Sequence, residues 1–273
     1  MLVLLNVGNT NLKLGLAEDG RLLGARRVTT RREVSADELE LTLEGLLSLD
    51  GRRLGDARRM VISSVVPVYD AALGALAARR GLRVDFATHE TVPIPVRVDR
   101  PAEVGADRLV NALAAGRLHG APAVVIDFGT AITLDAVAAD GAYVGGAIAP
   151  GLEIGLEALA ERTAKLPRIE LRQPRRAIGR DTISAMRSGA VYGALGAVRE
   201  LRSRVAAELA EDGGDIEKVC TILTGGIAAQ AWFAELVGAD VVDPELTLRG
   251  LLLLAGEGTA GEATPGAPAV RTP

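Results

Sequence analysis

Val124-Val125-Ile126-Asp127-Phe128-Gly129-Thr130-Ala131-Ile132-Thr133-Leu134-Asp135 is the stretch whose reading decides the fold. An apolar run delivers an acidic residue, then Gly and Thr, then β-branched residues leading toward Asp140-Gly141. The pattern predicts a strand, a tight turn and a second strand. Such a turn has the size of a phosphate. Gly lets backbone approach closely, Thr donates a hydroxyl and an amide, and a carboxylate can hold a cation beside the negative charge. Acidic hairpin turns also occur without any ligand, so this stretch alone leaves both readings open.

The design occurs twice. Leu4-Leu5-Asn6-Val7-Gly8-Asn9-Thr10-Asn11-Leu12-Lys13-Leu14 opens the protein in the same order, and Asp19-Gly20 follows it as Asp140-Gly141 follows the other. The offset between Gly8 and Gly129 equals that between Gly20 and Gly141, which points to a duplicated hairpin heading each half. Two facing phosphate turns suit a nucleotide in a cleft between related domains.

The 273 residues allow two domains of ordinary size, and 48% apolar residues argue for folded cores rather than disorder. A net charge of −4, with arginines scattered in pairs such as Arg31-Arg32, Arg52-Arg53 and Arg175-Arg176, gives no basis for nucleic-acid binding. Cys220 is the single cysteine, which excludes an intrachain disulfide and fits a reducing cytoplasm. A basic leader with a cleavage region is not expected, and no run approaches the roughly 20 apolar residues of a membrane helix.

Outward from the two hairpins, the first half reads β-β-β-α-β-α-β. A third strand covers Arg21 to Thr30, and Ser35-Ala36-Asp37-Glu38 has the form of a capping box ahead of a leucine-spaced helix. A strand ending at Pro67, a helix from Tyr69 to Arg80 and a strand at Leu82–Phe86 complete it. Pro93 and Pro95 mark a connector, and Ala106 to Leu118 has helical spacing. The second half repeats β-β-β, with its third strand at Ala142–Gly146. Helices follow around Leu152 to Arg162 and from Thr182 to Ala210. A strand over Val219–Thr224, a helix from Ala228 to Leu236, a short strand at Asp240–Val242 and a helix over Leu246 to Leu254 close the fold. His89 and His119 read as surface or loop residues, Trp232 and Phe233 as packing residues, and Cys220 as a buried small hydrophobe. Asp107 and Thr182 both sit where a helix N-cap would. The expected division is 1–118, 119–255 and a disordered tail, 256–273.

Seven motifs in order resemble those of the type III pantothenate kinases, within the superfold of acetate and sugar kinases, heat-shock ATPases and actin. They are Val7-Gly8-Asn9-Thr10-Asn11 with Lys13, Gly105-Ala106-Asp107-Arg108, Asp127-Phe128-Gly129-Thr130, Gly145-Gly146-Ala147-Ile148-Ala149-Pro150-Gly151, Thr163-Ala164-Lys165-Leu166-Pro167, Ile178-Gly179-Arg180-Asp181-Thr182 and Thr224-Gly225-Gly226. The resemblance implies an α/β protein of two related ribonuclease-H-like, actin-like ATPase domains, each a mixed sheet flanked by helices. It also implies ATP-dependent phosphorylation of pantothenate, the first step toward coenzyme A.

On that resemblance Asn6, Val7, Gly8, Asn9, Thr10, Asn11, Leu12 and Lys13 form the first ATP-binding turn, and Thr130 contacts ATP from the second. Asp127 matches a monovalent-cation ligand, for K+ or NH4+, and ATP comes with Mg2+. Asp107 takes the position of the general base, Gly105, Ala106, Asp107 and Arg108 hold pantothenate, and Thr182 is a further substrate contact. Gly225 and Gly226 lie where nucleotide meets bare backbone, or else form a helix-entry turn. A homodimer paired through the second halves is implied. Gly189, Gly193 and Gly196 on the long helix suit either that contact or packing within the chain.

Two positions depart from the family pattern. Asn6 replaces an Asp that helps organise magnesium, and Val98 stands where a substrate-binding Tyr is usual. Asn keeps the size and one carbonyl oxygen but loses a full charge. The alternative reading is therefore a catalytically weak or inactive relative that keeps the nucleotide site for binding or regulation. A sugar or acetate kinase of the same superfold is a third, which the G-A-D-R and I-G-x-x-T motifs disfavour.

Overall fold

The computed structural model describes residues 1–211 and 218–256. It divides into two compact units, Met1–Ala114 together with the segment from Glu245, and Ala115–Pro244.

The first unit is built on β1 (Leu2–Val7), β2 (Asn11–Glu18), β3 (Arg21–Thr29), β4 (Arg59–Ser64) and β5 (Arg83–Phe86), in the order β3-β2-β1-β4-β5. The first three pair antiparallel, whereas β1–β4 and β4–β5 are parallel. β1 is an almost unbroken apolar run because both of its faces are covered. Its odd-numbered residues Val3, Leu5 and Val7 join Met60 and Ile62 against Leu39 and Leu43 of α1 (Ala36–Ser48) and Leu73 and Leu76 of α2 (Pro67–Arg80). α1 begins with the expected capping box: Glu38 N–H donates to Ser35 Oγ at 3.2 Å and Ser35 N–H to the Glu38 carboxylate at 2.9 Å. α2 opens on Pro67, whose missing N–H costs a first turn nothing.

The second unit repeats this topology. β6 (Ala123–Phe128), β7 (Ala131–Val137), β8 (Tyr143–Pro150), β9 (Cys220–Thr224) and β10 (Val241–Val242) lie in the order β10-β9-β6-β7-β8, with the same parallel and antiparallel pairings. Val124, Ile126 and Phe128 pack on Val191, Leu195 and Val198 of the long helix that runs from Thr182 to Glu211. Phe233 is fully buried, edge-on to Phe128 at 4.7 Å. The two sheets have the ribonuclease-H-like arrangement that the family resemblance implies, and each opens on one of the duplicated hairpins.

Several particulars differ from expectation. β8 runs on to Pro150 through Gly145-Gly146, because the backbone of that run stays paired to β7 beyond a bulge. The helix expected to reach Leu118 is α3 (Ala106–Ala114), followed by a π-helical turn over Ala115–His119. His119 is not a surface residue: its Nε2 lies 3.3 Å from Oδ2 of the buried Asp243. Cys220 is half-buried rather than buried, and burial with the nearby Asp240 pushes its thiol up.

In chain order the remaining helices are α4 (Leu152–Arg162), α5 (Thr182–Glu211), α6 (Ala231–Val237) and α7 (Leu246–Leu254). α7 belongs with the first unit, although the sequence division placed it in the second half. Gly250 lies directly on the Val110 carbonyl of α3, and the buried Thr247 hydroxyl donates to Asn111 Oδ1 at 2.8 Å. Of the expected tail, everything from 257 onward lies outside the described residues.

Candidate functional site

In the first unit the turn after β1 is held from the side. Gly8 N–H donates to the Asn11 carbonyl at 3.0 Å, Thr30 Oγ1–H to the Gly8 carbonyl at 2.7 Å, and Thr30 N–H to the Thr10 carbonyl at 2.8 Å. The register pairs Val7 with Leu12, which leaves residues 8–11 in the turn. In the second unit Phe128 pairs with Ile132, so the turn is one residue shorter, 129–131. The lost residue is regained before Asp140-Gly141, which is why the spacing of the glycines is the same in both halves. Before the turns the register is shared: Asn6 opposes Lys13 on β2 and Ser63 on β4, while Asp127 opposes Thr133 on β7 and Thr224 on β9.

Strand alternation sends Asn6 to the face away from Leu5 and Val7, and Lys13 to the same face as Gly15, which abuts Leu248 of α7. Lys13 Nζ pairs with Glu245 at 3.4 Å. Asn6 Oδ1 and Ser63 Oγ are buried and have no hydrogen-bond partner. Beyond β4, Val65 N–H donates to the Val7 carbonyl at 3.0 Å, and a Cβ at Gly105 would lie 3.5 Å from the Val65 side chain.

Gly105 carries the first turn of α3. Its carbonyl accepts from Arg108 N–H at 3.1 Å, so Gly105 takes the N-cap position and Asp107 lies within the turn. Asp107 Oδ1 accepts from the Arg108 amide at 2.9 Å and stands close over Gly105, where a Cβ would be 2.7 Å from it. Burial raises this carboxyl above its ordinary value, and the Arg108 amide and guanidinium oppose the rise without cancelling it.

In the second unit Asp127 and Gly225 are in contact. Gly225 adopts φ +99°, and a Cβ there would collide with Asp127 Oδ1 and lie 2.5 Å from the Phe128 carbonyl oxygen. Gly226 has helical dihedrals and opens the 3-10 turn Ile227–Ala229. The pair thus divides the two roles that the sequence left open: one glycine permits a close approach and the other enters a helix. Gly151 lies on the second turn, where a Cβ would meet the Thr130 carbonyl and come within 2.7 Å of the Gly129 carbonyl. Gly179 packs on Ala185 in the first turn of α5. α5 is capped by Asp181, whose carboxylate accepts from Ser184 N–H at 2.8 Å, and not by Thr182, which is exposed at the first helical residue. Thr163 closes α4, its hydroxyl donating to the Leu159 carbonyl at 2.8 Å.

The structure therefore gathers Asn6, Lys13 and Gly105–Arg108 within one unit and Asp127, Thr130, Gly225 and Gly151 within the other. Ser63, Thr30 and Glu245 escaped the sequence reading because the residues they face, Asn6, the turn 8–11 and Lys13, are distant in sequence. Among the described residues no group of three His, Cys, Asp or Glu could hold a metal. The orphaned neutral oxygens of Asn6 and Ser63 fit the water shell of a hydrated Mg2+ better than direct ligation. In the second unit the Asp127 carboxylate and the Phe128 carbonyl oxygen both border Gly225.

Residues 2–204 match the family model described as type III pantothenate kinase. The type III pantothenate kinase of Thermobifida fusca is 42% identical over 257 residues, 93% of this chain and 98% of that protein. That of Rubrobacter xylanophilus is 44% identical over 260 residues, 93% and 97% of the two chains. Among solved structures, a Baf family protein from Campylobacter jejuni aligns with a TM-score of 0.59 at 15% identity, covering 93% of this chain and 98% of that one. The ethanolamine utilization protein EutJ from Carboxydothermus hydrogenoformans aligns with a TM-score of 0.51 at 16% identity, covering 92% and 89%. At those identities the two structures speak for the fold alone.

Proposed function

Because the chain belongs to the type III pantothenate kinase family, we propose that it phosphorylates pantothenate with ATP by in-line transfer to the primary hydroxyl. The observation that carries the mechanism is the largely enclosed Asp107 carboxylate in the first turn of α3, held over Gly105 by the Arg108 amide. Burial strengthens its hold on a proton, which suits a group that accepts the hydroxyl proton as that oxygen attacks the γ-phosphorus. Arg108 binds the pantothenate carboxylate, with the backbone of Gly105 and Ala106 beside it and Thr182 as a further contact. The turn from Asn6 to Lys13 receives ATP phosphates through its amides and the Thr10 hydroxyl, Lys13 adds positive charge, and Thr130 contributes from the second turn. When bound, Mg2+ on the nucleotide and a monovalent cation at Asp127 neutralise phosphate charge. Proton and phosphate positioning falls to the side chains just named.

The test is pantothenate-dependent ATP turnover in Mg2+ and K+, with Asn6→Asp alongside. Restoring one charge-assisted interaction raises kcat/KM by about tenfold if the parent is an active kinase. A parent without turnover and an active Asn6→Asp variant would establish the weak or inactive relative, the reading favoured by the uncharged Asn6 oxygen.

We also propose that the protein is a cytoplasmic homodimer. No helix of the described residues is long and apolar enough to cross a membrane. Gly189, Gly193 and Gly196 are exposed, and a Cβ on any of them meets nothing within 4 Å of its own chain. The glycines therefore do not serve packing among the described residues, and the exposed Ile183 and Tyr192 lie on the same helix. Gly193→Arg adds a side chain to open space in the single chain, so it leaves the melting of the unit intact and sediments as a monomer. A parent that sediments as a monomer at micromolar concentration rules the dimer out.

A further inference from the structure

We propose that Ser63 is a site residue: its hydroxyl and the Asn6 side-chain oxygen form a two-point seat for the water shell of the divalent cation that arrives with the nucleotide. The proposal rests on the phosphotransferase reading and names a residue outside the seven motifs quoted above.

Ser63 is 0% exposed, yet its Oγ has no hydrogen-bond partner, and the buried Asn6 Oδ1 has none either. Buried polar atoms are nearly always paired, so two adjacent orphans mark a place suited to a polar ligand or an ordered water. The two residues are in register on the parallel strands β1 and β4, so both side chains leave the sheet on the same face. They lie at the carboxyl ends of those strands, the end at which open α/β sheets bind ligands. Two residues beyond Ser63, Val65 lies beside Gly105, where a Cβ would come within 3.5 Å of its side chain, and Gly105 opens the turn that carries Asp107. The seat thus belongs to the same cluster as the proposed base.

The chemistry of the pair selects the ligand. Asn6 Oδ1 accepts hydrogen bonds and cannot donate them, and a serine hydroxyl can also accept, so a single donor group can serve both. Lys13, across from Asn6 on β2, pairs with Glu245 and does not satisfy the Asn6 oxygen. Magnesium gives up its waters reluctantly, and those waters are strong donors. The second unit uses the same register differently, with Thr224 beside the charged Asp127. A hydroxyl stands at this place in both units, but only one unit keeps the acid. Where the acid is absent, outer-sphere contact through water is the interaction left to neutral oxygens.

Calorimetric titration with ADP, with and without Mg2+, tests the seat on the parent, Ser63→Ala and Ser63→Thr. Ser63→Ala is expected to weaken Mg·ADP binding about five- to tenfold, the worth of one hydrogen bond, and to leave metal-free ADP unchanged. Ser63→Thr, which keeps the hydroxyl, restores the affinity. Without ligand, Ser63→Ala melts no lower than the parent, since the deleted hydroxyl had no partner to lose. Parent-like Mg·ADP binding by Ser63→Ala, an equal loss with and without metal, or a melting point well below the parent overturns the inference while the kinase reading survives. A parent that binds no ADP in either condition removes both.

Discussion

Asp107→Asn lowers kcat by about 10²- to 10⁴-fold, the range for removing a positioned general base. Phosphoryl transfer depends mostly on alignment and charge neutralisation, so the lower half of that range is expected. Asn keeps the size of the side chain and its hydrogen bond to the Arg108 amide, so KM for both substrates should change little. The pH profile separates a base from a spacer. Burial raises the Asp107 carboxyl above its ordinary value of about 3.9, so in the parent the acid limb of kcat/KM lies above that value, and activity falls as pH drops through it. In Asp107→Asn that limb disappears.

Stability moves the opposite way. The folded state binds the Asp107 proton more tightly than the unfolded chain, so the contribution of this group is present below its unfolded value and is lost as pH rises through the raised one. At neutral pH the ionised, desolvated carboxylate is a net cost. The Asn variant should therefore melt at a higher temperature than the parent at pH 7, with the difference vanishing in acid. A variant both less active and less stable at pH 7 would mean that Asp107 only supports the helix start.

The fold was legible because its decisive signals are local. Each hairpin carries its own turn residues, and Asp19 with Gly20 shows why: both have positive φ, which a two-residue hairpin turn demands. What the sequence hid depends on register or on distant partners. The unequal lengths of the turns 8–11 and 129–131 are masked because the second hairpin regains the residue further on. The place of α7 is decided by Gly250 and Thr247 meeting α3, which no local pattern encodes. Asp181 and Thr182 are adjacent cap formers, and only geometry assigns the cap to Asp181. Ser63 lies in an apolar strand, where nothing but the strand pairing reveals that its neighbour is Asn6.

Gly225→Ala is the second large effect, and it is structural before it is catalytic. The residue holds φ +99°, a conformation that costs an L-residue about 1–3 kcal/mol. The added methyl group also collides with Asp127 Oδ1 and approaches the Phe128 carbonyl at 2.5 Å, overpacking that costs about 1–3 kcal/mol more. The Phe128 carbonyl belongs to a paired strand whose ring is fixed edge-on to Phe233, so the short Asp127 side chain must give way first. Unfolding in urea should report a loss of about 2–6 kcal/mol, the sum of the two costs. The displaced carboxylate should also abolish any stimulation of turnover by potassium, even at temperatures where the variant is folded. Stability within 1 kcal/mol of the parent together with unchanged potassium dependence would show that Asp127, held beside Gly225, does not seat the monovalent cation proposed for it.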